Sequence, residues 1–487
     1  MEITEHIKSG MLWNAIGFIL RFIIGLGSSI IFVRLLGQHN YGTVTFILTW
    51  FFFSTMIANL GLGTVITKCV AEQRARNTRS YLVSMLKKVT MIRLVVIAIL
   101  GIGFYFSPQL ASWVGKPHIG RFLYYVPLMV ITAYYYTTFN TLLTAYYEQK
   151  FINLTSILEL LVKLGFVVIA VYYGYIIVGF IAAIILSQIF AGTMLAWRAY
   201  KQIFKKLTRT SLPFNFRSNI PLAYNSFLIL MSRRLLGRES DIFLLGTLHH
   251  DIREVAVYAV IFGLPAMTFG IFNNIIGGGL GLTAFTELAK SAQIDKLRRN
   301  YSQILHFFFM FLFPTIIGGS LVGGDLAEIM YGHEYQGLNL PLAILFFAIG
   351  IGSINSITRN ILYALDHDRN LRRCRFGFGL LNIIVNIIII PKYGALGVAI
   401  TTGAASICIT ITEVLLIHFT IRPNYPVKNC LRYLIIASIM GGVVYIAPFA
   451  FYWKILVGIC VYGLLFWIHE MKFNNGKNLR LFLKIRK

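Results

Sequence analysis

The chain has 487 residues, 57% hydrophobic and only 13% charged, with a mean hydropathy of +0.72 and a formal net charge of +26. That composition excludes an ordinary soluble globule, whose surface needs more charge than this chain carries. The basic excess would suit nucleic acid, but it falls in short segments between apolar stretches and on no soluble domain, so a nucleic-acid partner is set aside.

Apolar stretches of roughly 17–25 residues, each able to cross about 30 Å of hydrocarbon, number about fourteen. In the first half they lie near 11–33, 43–67, 89–113, 122–147, 151–172 and 176–197. In the second they lie near 219–247, 255–283, 301–322, 340–365, 374–391 and 395–418, and a last pair lies near 430–451 and 454–470. The first stretch is too long for a signal-peptide core, and Arg34-Leu35-Leu36-Gly37 after it is no small-residue cleavage site, so it is expected to stay as a helix. The expected fold is all-α and polytopic.

Placing the amino terminus in the cytoplasm puts the basic loops on that side: Lys68–Lys88, Arg198–Arg217, Lys290–Arg299, Arg369–Arg375 and Lys472–Lys487. The bias is about thirty basic residues inside against about seven outside. Both termini are then cytoplasmic in a multi-pass protein of the plasma (inner) membrane, and the basic face attracts anionic lipid headgroups. Cys69, Cys374, Cys408, Cys430 and Cys460 are scattered, and no His/Cys/Asp cluster has ligand spacing, so neither disulfides nor a metal site is expected. Gly277-Gly278-Gly279-Leu280-Gly281 lacks the Lys-Ser/Thr of a phosphate loop and reads as close packing or a kink. The longest outer segment, Gly323 to about Asn339 with Asp325, Glu328 and Glu334, is too small for a membrane glycan polymerase, and no enzyme or cofactor is expected.

Markers recur in order roughly 215 residues apart. Leu35-Leu36-Gly37 and Tyr41-Gly42 answer to Leu244-Leu245-Gly246 and Tyr258-Ala259; Ala71-Glu72 answers to Thr286-Glu287. Glu148-Gln149-Lys150 answers to Asp366-His367-Asp368, and Tyr173-Gly174 with Gly179 to Tyr393-Gly394 with Gly397. A six-span unit starts and ends on one side, so the repeat is parallel and not inverted. The reading divides the chain into two six-helix lobes, 1–217 and 218–418, with two further helices and a basic tail in 419–487.

Ionisable residues inside the spans must face protein or a wet cavity. Arg21 lies mid-span with Asn14 on about the same face, a pairing that suits an anionic substrate group or a helix–helix tie. Arg233 and Arg234, followed by Arg238 and Asp241, make their span too polar for a plain lipid-facing helix, which suggests a break or a cavity wall. Arg359 follows Asn355 by one turn. Asp241 and Glu413, alone in its span, are the candidate sites for a coupled H+ or Na+. Glu159 and Lys163 have the order and spacing of an intrahelical ion pair. Arg93 and Lys68 are expected to snorkel from span ends, and Asn382 and Asn386 to tie helices. Tyr134-Tyr135-Tyr136 suits packing first and sugar stacking second.

With these residues in view, the chain resembles the polysaccharide repeat-unit (Wzx-type) flippases of the multidrug/oligosaccharidyl-lipid/polysaccharide exporter superfamily. The likeness rests on Phe32 to Gly37 with Tyr41-Gly42, Asn59-Leu60-Gly61-Leu62-Gly63 and Lys68, and on Asp241 to Gly246 with Val257-Tyr258-Ala259. Glu328 to Gly332 with Glu334-Tyr335, and Asn382 through Pro391-Lys392-Tyr393-Gly394 to Ala399, complete it. The resemblance implies two rocking six-helix lobes that move a polyprenyl-pyrophosphate-linked oligosaccharide to the outer face, inward-facing cations holding the pyrophosphate. It also implies partners among membrane lipids, a polysaccharide polymerase and glycosyltransferases. The rival readings are a drug or organic-cation antiporter, a lipid II flippase and, more distantly, the glycan polymerase.

Overall fold

The computed structural model describes residues 2–76, 80–206, 215–235, 237–277, 293–365, 367–446 and 450–473, with no strand among them. Nine described helices are long and apolar enough to cross a membrane, ten if one bent pair counts as a span. Two of the nine, of 41 and 53 residues, would be about 60 and 80 Å long if straight, at least twice the hydrocarbon thickness. Each is broken by a glycine whose backbone is non-helical. The chain forms two compact units, residues 1–256 and 257–487. The segment 218–256, which the sequence reading assigns to the second lobe, therefore packs with the first unit.

In the first unit α1 (Glu2–Asn59) turns at Gly37, φ 70° and ψ 165°, the glycine of the first repeat marker. A side chain rarely tolerates that φ, so the break is written into the sequence. Leu60 and Gly61, both at positive φ, separate α1 from α2 (Leu62–Arg76). Helices α3 (Ser80–Tyr105) and α4 (Ser107–Trp113) meet at 64° beside Pro108, so the expected span 89–113 is bent. After α5 (Gly120–Leu123), α6 (Val126–Ala145), α7 (Gln149–Tyr172) and α8 (Ile176–Gln202) pack on one another and on α1. The span expected near 219–247 is broken into α9 (Ile220–Leu235) and α10 (Arg238–Leu248), with Gly237 extended between them. A core of Leu62, Ile66, Leu82, Met85, Val89 and Leu142 joins α2, α3 and α6.

α11 (Arg253–Gly277) leads into the second unit. There α12 (Ile294–Tyr331) packs on α13 (Asn339–Gly352), and α14 (Asn355–Ala364) follows a bend at Ser353. α12 stays helical through Asp325 and Glu328, so most of the outer segment expected from Gly323 is helix. α15 (Asp368–Ile421) bends at Gly394, and α16 (Val427–Ile446) packs on α12 and on α17 (Phe451–Phe473). The markers Thr286-Glu287, Gly278 to Gly281, Asp366 and the basic tail beyond Phe473 lie outside the described residues.

The internal repeat is visible in backbone geometry. Glu148 N–H donates to the Leu143 carbonyl at 3.1 Å, and His367 N–H donates to that of Leu362 at 2.9 Å, closing two helices in the same manner. Gly174 and Gly394 both sit at positive φ. Shortly after each, a glycine lets two helix segments close up: a Cβ on Gly179 would lie 2.2 Å from Ala170 Cβ, and one on Gly397 2.6 Å from Ile389 Cγ2. Gly37 and Gly246 differ, since Gly246 stays helical with the Phe46 ring against it.

Candidate functional site

Arg21 is half-buried in α1, and its Nε donates to the Gly17 carbonyl of its own helix at 3.1 Å. One turn earlier, α7 brings buried Asn153 against Gly17, where a Cβ would fall 2.7 Å from Asn153 Cγ. The small residue lets the two helices approach beside the cation. Among the described residues Arg21 has no carboxylate partner. The side chains of Asn14 and Arg233 lie outside the described residues.

Arg234 forms an ion pair with Glu239 across the break between α9 and α10, and its guanidinium lies 5.2 Å from the Phe52 ring centroid. It is therefore a neutralised cation that spans the helix break, held by charge and by the ring face. Asp241, one turn into α10, is 1% exposed.

Arg93 departs most from the sequence reading. The helix begins at Ser80, well before the expected start near 89, so Arg93 stands midway along α3 and is 5% exposed. It does not snorkel. Its two terminal nitrogens donate to Thr138 Oγ1 at 2.9 Å and Asn59 Oδ1 at 3.4 Å, and the Tyr134 ring centroid lies 4.7 Å from the guanidinium carbon. Asn59 Oδ1 also accepts from Gly63 N–H at 3.2 Å, and Tyr134 donates its hydroxyl to the Thr55 carbonyl. The Asn59 to Gly63 motif is thus the hinge where α1, α2, α3 and α6 meet. Tyr136 bonds Ser156 at 3.2 Å, so of the three tyrosines Tyr135 alone is exposed. Stacking on sugars is left at most to that ring.

In the second unit Glu413, fully buried, accepts from Arg375 Nε at 2.8 Å and from a terminal Arg375 nitrogen at 2.6 Å. The carboxylate that looked alone has a partner from the segment read as a cytoplasmic loop. Half-buried Arg359 acts on the same carboxylate through space. The structure thereby gathers Arg359, Arg375 and Glu413. Asn355 is 8% exposed and its Oδ1 has no hydrogen-bond partner among the described residues, while neighbouring Ser356 donates to Asn273 at 2.9 Å. Glu159 and Lys163 do form their intrahelical pair, at 3.7 Å. Asn386 accepts from Thr401, as a helix tie should, and both residues are buried.

Outside the spans, Lys116 is buried and donates to the His250 carbonyl; burial lowers its pKa, against the raising pull of Asp251. No group of three or more metal-ligating side chains occurs among the described residues.

Broken helices, two units with a shared internal pattern and arginines withdrawn from solvent within helices are features of a transporter scaffold. The profile described as Polysaccharide biosynthesis protein matches residues 7–278. The chain belongs to that family. The sequence resemblance to polysaccharide repeat-unit flippases is in keeping with that family. Among relatives of the family, the uncharacterized membrane protein MJ1068 of Methanocaldococcus jannaschii is 20% identical over 418 residues, covering 82% of each chain. The probable flippase AglR of Haloferax volcanii is 26% identical over 151 residues, 30% of this chain and 31% of that protein. A solved structure of the lipid II flippase MurJ, inward closed conformation, superposes with a TM-score of 0.74 at 17% identity, covering 95% of this chain and 99% of that one. At that identity the match speaks for the fold.

Proposed function

We propose that this family member translocates polyprenyl-pyrophosphate-linked oligosaccharide repeat units from the cytoplasmic to the outer face of the plasma membrane by alternating access, for polysaccharide biosynthesis. In this reading two lobes alternate, the helices in 419–487 accompany them, and both termini face the cytoplasm. One observation carries the cargo: among the described residues the ion-paired carboxylates Glu159, Glu239 and Glu413 face Lys163, Arg234 and Arg375, whereas Arg21 bonds only its own helix. A pyrophosphate would supply the counter-charge Arg21 lacks, and cations placed to meet it in one state more than the other give the differential binding that translocation needs. Arg233, Arg359, Asn14 and Asn355 complete the proposed cation and amide set. Asp241 remains the proposed coupling residue for H+ or Na+, with a polymerase and glycosyltransferases as partners before and after the flip. A drug or organic-cation antiporter would need a membrane carboxylate left open for the cargo.

The test is flipping of a fluorescent polyprenyl-pyrophosphate oligosaccharide in proteoliposomes, with lipid II as competitor. Arg21→Ala is expected to lower the rate by about tenfold or more, the loss of one charge-assisted contact, with Arg21→Lys between it and wild type. A wild-type rate in Arg21→Ala would remove the assignment. Preference for lipid II would transfer the protein to the peptidoglycan branch.

A further inference from the structure

A cavity of about 850 Å³ lies on the flank of the first unit between α3 and α6, within the size range of ligand pockets. Its exposed walls are apolar: Val83, Met91, Leu94 and Ile131 are all more than a third exposed. In a membrane protein such an opening faces hydrocarbon, not water. Two cations line it, exposed Lys87 and buried Arg93. Lys87, Thr90, Met91 and Leu94 follow at helical spacing, so one stripe of α3 runs from the Lys87 rim down past Arg93.

The charge on Arg93 exceeds what its structural role requires. A neutral group can make such a tie, as the second unit shows. Thr358 is tied to its neighbouring helix by the Tyr301 hydroxyl at 3.2 Å, a neutral bond. At Thr138 the first unit makes such a tie with a guanidinium, although burying a charge is costly. Arg93 Nε has no hydrogen-bond partner, and no acidic side chain pairs with this guanidinium among the described residues. A buried cation with spare donors at the wall of an apolar cavity is suited to an anion that arrives attached to hydrocarbon.

We propose that this cavity is a binding site for an anionic glycerophospholipid of the surrounding bilayer. Its phosphodiester sits between the Lys87 ammonium and the Arg93 guanidinium, and an acyl chain lies along Leu94, Ile97 and Ile131. A single phosphodiester suits two cations, and the apolar walls suit acyl chains. A glycan-bearing carrier would need polar walls for its sugars, which this cavity lacks. The site stands apart from Arg21 and does not depend on the identity of the cargo.

The experiment is native mass spectrometry of the full-length protein, titrated with phosphatidylglycerol, diacylglycerol or polyprenyl phosphate. Wild type should retain phosphatidylglycerol about tenfold better than diacylglycerol. Arg93→Gln should abolish that preference. Ile131→Trp fills the cavity while leaving the Thr138 and Asn59 bonds in place, and it should abolish retention even if Arg93→Gln proves unstable. Undiminished phosphatidylglycerol retention in Ile131→Trp overturns the proposal. So does polyprenyl phosphate displacing phosphatidylglycerol at equal concentration, which would make the carrier lipid the occupant.

Discussion

Glu413→Gln removes the negative half of an ion pair whose carboxylate is fully buried and whose Arg375 side chain is 18% exposed. At the observed separations of 2.6 and 2.8 Å and an effective dielectric near 20, the gross attraction is about 6 kcal/mol. Desolvation of both groups offsets much of it, so the pair as a unit contributes little. Removing one partner is different, because half-buried Arg375 is then left without a counter-charge, at a cost of up to about 3–5 kcal/mol. That is a large share of the roughly 5–15 kcal/mol that holds a typical fold. Purified protein in nanodiscs, unfolded thermally with intrinsic fluorescence as the signal, should show a midpoint several degrees lower for Glu413→Gln. The double replacement Glu413→Leu with Arg375→Met should recover most of the loss, since it leaves no orphan charge. Ion dependence of transport, measured on the same preparations, separates structure from coupling. If Glu413→Gln unfolds as wild type does while transport loses its ion dependence, the structural reading fails and Glu413 is the coupling residue.

Two further outcomes follow from local geometry. Gly61 holds φ +73° with the Ala223 carbonyl oxygen 2.0 Å from where a Cβ would stand; Gly61→Ala should destabilise the first unit by at least about 2 kcal/mol, and a chemical-denaturation shift under about 0.5 kcal/mol would show that the hinge tolerates a side chain. His118 lies outside the spans, and burial, then His39, Lys116 and Arg121, lower its pKa from 6.5. The folded state therefore binds fewer protons than the unfolded chain, so the contribution of His118 is present above pH 6.5 and is lost as pH falls toward the lowered value. His118→Gln should flatten this acid limb in unfolding midpoints measured between about pH 7.5 and 5, and an unchanged slope would place the acid sensitivity elsewhere.

The sequence was most legible where the physics is local. The ion pair of Glu159 with Lys163 requires only one helical turn, and it forms. Gly37, Gly174 and Gly394 mark turns because few other residues tolerate their φ, so the breaks and part of the repeat could be read without coordinates. Arg93 was misplaced because Lys87-Lys88 look like a span end. Composition cannot show that α3 starts at Ser80, since a helix extends beyond the bilayer wherever tertiary packing supports it. The helix end near Gly323 was missed for the same reason, since α12 runs on to Tyr331.

By itself the sequence determined that this chain is a bundle of membrane-crossing helices, that it is internally repeated and to which family it belongs, because hydrocarbon thickness and helical rise impose lengths that any apolar run must meet. Only the tertiary structure decided which charges are spoken for. Glu413 and Arg375 are 38 residues apart in the chain, and Arg93 reaches Thr138 and Asn59 from a different helix. Such pairings leave no periodic trace, since a buried charge is met by whatever stands next to it in space and not by what precedes it in the chain.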